Sequence, residues 1–159
     1  MLRQLATLGL TLGMITAASL SANAQNANGQ KNPNLKETAM KLVPESKITK
    51  EDGNEFDLMT AKQTVIEVEL NKDGTLDEAS GNAALAGDVF VPGNGLMSLG
   101  DAVSALQKAG KTPAGDWSIE KSFLNDWIYE FEGTENGKAM EYAVSAKDGK
   151  LVKDRRDIF

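Results

Sequence analysis

The chain has 159 residues, 17 of them basic and 23 acidic, for a formal net charge of −6, and contains neither cysteine nor histidine. Without Cys there are no disulfides, thiol nucleophiles or thiolate metal sites; without His the usual general base and the commonest transition-metal ligand are missing. Ser-His-Asp and Cys-His catalysis and most zinc chemistry are thereby excluded. An acidic balance with scattered Lys also argues against a nucleic-acid partner, which needs a basic patch to displace counterions.

Arg3 is the first charge and Lys31 the next. Between them lies an apolar run from Leu5 to Leu20, then Ser21-Ala22-Asn23-Ala24. A positive start, an apolar middle and an Ala-x-Ala ending describe a secretory signal peptide over residues 1–24. The run is short and interrupted by Gly9, Thr11, Gly13 and Thr16, which disfavours a membrane anchor. The expected product is periplasmic or secreted, with no membrane attachment after cleavage. Removing one Arg from the 17 basic residues and leaving the 23 acids gives the product a net charge of −7.

Residues 25–33 are Asn/Gln-rich without apolar periodicity and read as a flexible lead-in. A helix is expected from Asn34, an N-cap with Glu37 at N3, with Leu35, Ala39, Leu42 and Val43 on one face and Pro44 as its stop. From Ser46 to Gln63 the pattern is mixed and gives one or two short strands around Asp52-Gly53-Asn54. Val65 to Leu70 is a clear strand: Ile66, Val68 and Leu70 share one face, Glu67 and Glu69 the other. Asp73-Gly74 turns the chain into a weaker strand near Thr75 to Ser80. Ala83 to Val91 is apolar and reads as either a strand or a packed loop, and Pro92-Gly93-Asn94-Gly95 breaks it.

The same order recurs. Ser98 caps a helix with Asp101 at N3, with Leu99, Val103 and Leu106 facing inward, and Gly110 ends it. Trp117, Ile119 and Phe123 mark a connecting strand region. Trp127 to Glu132, Lys138 to Ala146 and Lys150 to Ile158 then form a meander through Asn136-Gly137 and Asp148-Gly149. Val65 to Gly74 aligns with Ile128 to Gly137 at an offset of 63 residues, and the helices align at 64. The expected fold class is therefore α+β with two tandem repeats, 34–92 and 99–159, joined by a linker at 93–98. Each repeat would be one helix followed by an antiparallel sheet of 3–4 strands, with the helices packed on one sheet face.

A two-residue loop at Asn136-Gly137 sets Phe131 opposite Tyr142, Tyr129 opposite Val144 and Trp127 opposite Ala146, all on one buried side. On the other side Glu132 faces Glu141 and Glu130 faces Ala143; the same arithmetic at Asp73-Gly74 sets Glu69 opposite Glu78. In that first hairpin Leu70 would face Asp77, so a shifted register or a bulge is expected there.

Ala139-Met140-Glu141-Tyr142-Ala143-Val144-Ser145-Ala146-Lys147-Asp148-Gly149-Lys150-Leu151-Val152 resembles the end of a PepSY domain, with Ala102 to Leu106 and Trp127 to Phe131 where that family places its helix and central strand. The resemblance covers Leu99 to Asp157 well and Leu35 to Gly81 more weakly. It implies tandem PepSY-like repeats, similar in shape to the duplicated helix-plus-sheet modules of the beta-lactamase inhibitor proteins. It also implies a non-enzymatic module that binds or restrains a protein partner, often a peptidase, and it carries over no catalytic residue.

The expected function is thus an exported binding or inhibitory module with no cofactor and no metal. Its expected partner contacts are Glu130, Glu132, Glu141 and Ile128, together with Trp117, which is carried as either a core residue or a contact. Trp127 is expected in the core through its alternation with Tyr129 and Phe131. The alternatives are a periplasmic small-molecule or cation binder involved in envelope stress and, more remotely, a hydrolase working through paired carboxylates. Intact-mass analysis of the exported protein should find a chain beginning at Gln25; a chain retaining Met1 would contradict the signal-peptide assignment.

Overall fold

The period-two alternation of apolar and acidic residues dominates what the chain forms. The computed structural model describes residues 34–82 and 89–156. Its elements run α1 (Leu35–Leu42), β1 (Lys47–Asp52), β2 (Glu55–Met59), β3 (Val65–Leu70), β4 (Leu76–Asn82), α2 (Leu99–Lys108), β5 (Pro113–Lys121), β6 (Trp127–Glu135), β7 (Lys138–Ser145) and β8 (Leu151–Arg156). The proposed signal peptide and lead-in, residues 83–88 of the apolar stretch and residues 157–159 lie outside the described residues.

The strands form one eight-stranded antiparallel sheet in chain order, β1 to β8. This overturns the expected α+β pair of helix-plus-sheet repeats: the described residues are mainly β, with two short helices of 8 and 10 residues among them. The physical reason is the pairing of β4 with β5 through Ala79↔Ile119, Ser80↔Ser118, Gly81↔Trp117 and Asn82↔Asp116. That seam satisfies the backbone edges that two separate sheets would leave open. The mixed stretch after α1 forms two strands, β1 and β2. Strand β5 extends over nine residues around Trp117 and Ile119 but ends at Lys121, so Phe123, expected in this strand, lies in the following turn, fully exposed.

Both helices begin as their caps dictate. Asn34 Oδ1 accepts from Glu37 N at 3.4 Å, and Ser98 Oγ accepts from Asp101 N at 3.2 Å. Neither helix is long enough to stand alone in water, so their order comes from the sheet they cover. Ala39 and Val43 at α1 pack with Leu99, Ala102 and Leu106 of α2 into the same core as Phe56, Leu58, Ile66, Val68, Ile119, Tyr129, Phe131, Tyr142 and Val144. The segment before α2 is pinned between them: Val91 N donates to Leu42 O, Leu99 N to Phe90 O, and Met97 N to Ala146 O. The Tyr129 hydroxyl donates to Met97 O at 2.9 Å, and burial pushes its acidity well below that of a free phenol.

The expected second-hairpin register holds, with Phe131↔Tyr142, Tyr129↔Val144, Glu132↔Glu141 and Glu130↔Ala143. In the first hairpin Glu69 pairs with Glu78 and the register then shifts so that Leu70 meets Leu76, a bulge at Asp77 that keeps both leucines buried. Gly133 in β6 faces inward, where a Cβ would collide with the Tyr142 ring and stand 2.8 Å from Thr112 O. Gly133→Ala should therefore lower stability by about 1–3 kcal/mol through overpacking, measured as a fall in the urea midpoint with unchanged slope.

Candidate functional site

Residues that alternate with the core line the open face of the sheet. On β2 and β3 these are Glu55, Asp57, Glu67 and Glu69; on β4 and β5, Glu78, Ser80, Ser118 and Glu120; on β6, Ile128, Glu130 and Glu132; on β7 and β8, Glu141, Lys153 and Arg155. Of the expected contacts, Glu130, Glu132 and Glu141 come together in a shallow depression of about 260 Å³, with Ser80, Asp116 and Ser118 beside them. Ile128 is on the same face but lines a different groove, near the β5–β6 turn. Trp117 is 2% exposed and stacks obliquely between Phe90 and Tyr129, with ring centroids 5.4 and 6.3 Å away. It is a core residue, and the expectation that its indole offers a contact surface is corrected.

The acidic pair in the depression is not free to attract a partner. Lys153 Nζ lies 2.9 Å from Glu130 Oε1 and 3.1 Å from Glu141 Oε2, and Arg155 Nε donates to Glu141 Oε2 at 2.9 Å. The Arg155 hydrogen bond, followed by that of Lys153, holds the Glu141 carboxyl below its ordinary pKa. Burial opposes the charge on Lys153, but its hydrogen bonds to Glu130 and Glu141 outweigh this and raise its pKa. Glu132 is occupied otherwise: its Oε2 accepts from Asp116 N at 3.2 Å, and its side chain packs over Gly115, where a Cβ would strike it. On the C-terminal half of the face Lys153 and Arg155 thus pair with Glu130 and Glu141, while Glu132 is held by a backbone N–H.

The other half differs. Glu55 pairs with Glu69, Glu69 with Glu78, and Asp57 with Glu67 in the strand register, so like charges stand directly opposite one another across β2, β3 and β4. Lys50 Nζ reaches Glu55 Oε1 at 3.1 Å, and the Asn54 amide donates to Glu69 Oε1 at 3.4 Å. Among the described residues no cation comes within ion-pair distance of Glu67, Glu78 or Glu120. Burial, then Glu120, Glu69, Glu67 and Asp77 in that order, raise the pKa of Glu78. One oxygen each from Glu55, Asp57 and Glu67 lies within 4.8 Å of the others, so these are the residues that could touch a hard cation. A calcium cage, however, takes six to eight oxygens, and Lys50 already holds one of these carboxylates.

Two features of this face were hidden from the sequence. Lys153 and Arg155 reach Glu141 because Val152 bulges out of register between Val144↔Leu151 and Ala143↔Lys153, which sets the side on which β8 presents its charges. The Glu55–Glu69 pairing depends on a turn in which Thr60 N donates to Thr64 O and Gln63 adopts a left-handed φ of 63°. Neither Gln nor Thr announces such a turn, whereas Asn136-Gly137 does.

No family model and no curated protein matches the chain.

The raised pKa of Glu78 has a defined sign. The native state binds that proton more tightly than the unfolded chain, so the group favours folding below the ordinary carboxylate pKa and loses this contribution as pH rises through its raised folded value. Glu78→Gln should therefore stabilise the protein at pH 7, by ~0.5 kcal/mol for relief of a cross-strand like-charge pair. The gain should vanish below the ordinary carboxylate range, as read by chemical denaturation at pH 7 and at about pH 3.

Proposed function

We propose that the chain is an exported, non-enzymatic binding module that docks a basic segment of a protein partner on the acidic half of its open sheet face. The observation that carries this reading is the uncompensated row Glu69, Glu78 and Glu120 with Asp57 and Glu67 beside it. Exposed carboxylates on rigid strands raise the local concentration of a cationic partner and reward its side chains without ordering flexible loops. The PepSY resemblance supports a protein partner and suggests a peptidase, which this module would restrain. The binding surface in this reading shifts by several strands from the Glu130, Glu132 and Glu141 depression, because Lys153 and Arg155 already satisfy two of those carboxylates.

A second reading, weak binding of a divalent cation, draws on Glu55, Asp57 and Glu67 alone. Calorimetry with calcium would separate the two, since heat at micromolar concentration would displace the protein-docking reading, and silence up to millimolar concentration would exclude the cation.

The docking reading predicts that immobilised protein retains an envelope protein that Glu69→Lys/Glu78→Lys loses, while Glu130→Lys/Glu132→Lys still retains it. Affinity should fall roughly tenfold or more, worth ~1.4 kcal/mol, and binding should weaken as salt rises. Equal recovery by all three baits would refute it.

A further inference from the structure

The two-residue loop between β6 and β7 holds a reactive pair of groups. Asn136 and Gly137 take φ of 51° and 73°, the left-handed backbone that such a hairpin turn requires. An Asn-Gly step also sets a side-chain amide carbon one residue from a backbone nitrogen that no neighbouring Cβ shields. Elsewhere in the chain the corresponding groups are tied. Gly149 N donates to Ser145 O at 2.9 Å and Gly74 N to Asn71 O at 2.8 Å. Asp148 Oδ1 accepts from Lys150 N at 3.1 Å, and Asp73 Oδ1 from Thr75 N at 2.9 Å. The Asn54 amide donates to Leu70 O, and that of Asn71 to Thr75 Oγ1 at 3.2 Å.

Asn136 differs. Neither its side-chain amide nor the Gly137 N–H has a hydrogen-bond partner among the described residues. A Cβ at Gly137 would meet nothing within 4 Å, and residues 134–139 are exposed without a break. Only the last ladder pairs, Thr134↔Ala139 and Glu135↔Lys138, and the 3.4 Å contact of Lys111 Nζ with Glu135 fasten this tip. A strand end held so lightly opens locally at little cost. Asn94-Gly95 has equally free groups but a firmer setting: Leu96 N donates to Gly93 O across it, Met97 N donates to Ala146 O, and Pro92 is buried. Asn28-Gly29, the third such step, lies outside the described residues.

We propose that Asn136 is a self-modification site, at which the folded chain converts its own turn asparagine into aspartate and isoaspartate. When the tip opens, Gly137 N attacks Cγ of Asn136. The new N–C bond closes a succinimide, the Cγ–Nδ2 bond breaks, and Nδ2 leaves as ammonia with the proton lost by Gly137. One water then adds across either imide bond. Cleavage at the side-chain carbonyl gives aspartate in an ordinary backbone. Cleavage at the main-chain carbonyl gives isoaspartate, whose backbone runs through the former side chain and is one carbon longer. Both products place a new negative charge next to Glu135. Only isoaspartate breaks the turn, because the added carbon destroys the match between a two-residue loop and the twist of β6 and β7.

The test holds the full folded chain at mildly alkaline pH, samples it over weeks and maps its peptides by mass spectrometry. The peptide carrying Asn136 should yield two products, each heavier by the difference between an amide and an acid, which fragmentation distinguishes as aspartate and isoaspartate. Asn94 should react severalfold more slowly, and Asn54 and Asn71 should stay intact. The isoaspartate fraction, isolated by anion exchange, should exchange its amide hydrogens severalfold faster over residues 134–139 than Asn136→Asp, which carries the same charge on an ordinary backbone. An Asn136 that stays intact would overturn the proposal, and so would earlier reaction at Asn94, Asn54 or Asn71. Equal hydrogen exchange in the isoaspartate fraction and in Asn136→Asp would overturn the claim that the modification breaks the turn.

Discussion

The seam between β4 and β5 is the constraint on which the rest of the structure depends. Backbone pairing there carries Gly81 opposite Trp117, and the Trp117 indole lies across that glycine, where a Cβ would stand 2.9 Å from Nε1. From Trp117 an aromatic file runs across the sheet, to Phe90 on one side and through Tyr129 to Phe131 on the other. Buried rings of this size contribute about 1.5–3 kcal/mol each through area alone, more than helices of 8 and 10 residues gain from propensity. The helices are thus consequences of the sheet, ordered because its inner face needs covering. A sheet of this length with a wet outer face is a stable arrangement only if one side is sealed.

At this seam Ser80 stands opposite Ser118 as a neutral pair on the outer face, while Glu78 and Glu120 carry the acidic row across it. Two sets of carboxylates that look alike in sequence have different roles. Glu130 and Glu141 are tied to Lys153 and Arg155, and such partly exposed pairs are worth up to ~1 kcal/mol. Glu69, Glu78 and Glu120 repel one another.

What could be read from the sequence followed the reach of each signal. Period-two alternation located β3 and β6, Asn136-Gly137 set the pairing of β6 with β7, and Ser98 with Asp101 placed the start of α2. These are local signals with a backbone mechanism behind them. The fold class was misjudged because helix-then-strands order is visible along the chain, whereas the β4–β5 pairing joins residues 40 positions apart, such as Ala79 and Ile119, with no turn to advertise it. The site was only partly legible for a related reason. Opposing carboxylates followed from one hairpin's arithmetic, but their neutralisation depends on the next strand and on a bulge at Val152. Trp117 beside Asp116 gave no local sign that the seam would bury it.

Two unfavourable features of the structure can be distinguished by whether packing explains them. The Trp117 Nε1–H is buried with no hydrogen-bond partner among the described residues, a defect that costs about 1–3 kcal/mol. Packing accounts for it: the ring must lie over Gly81 to link Phe90 with Tyr129, and the edge carrying Nε1 then faces backbone and glycine. No comparable account covers Glu69 opposite Glu78 or the exposed Phe123-Leu124 tip. Either could be replaced, by Thr or Lys on the strand and by Asp or Gly on the turn, without altering a buried contact. A cost that the fold does not impose has to be explained by something outside the fold. On this chain both such costs fall on the surface, one on acidic strand positions and the other on an apolar turn tip.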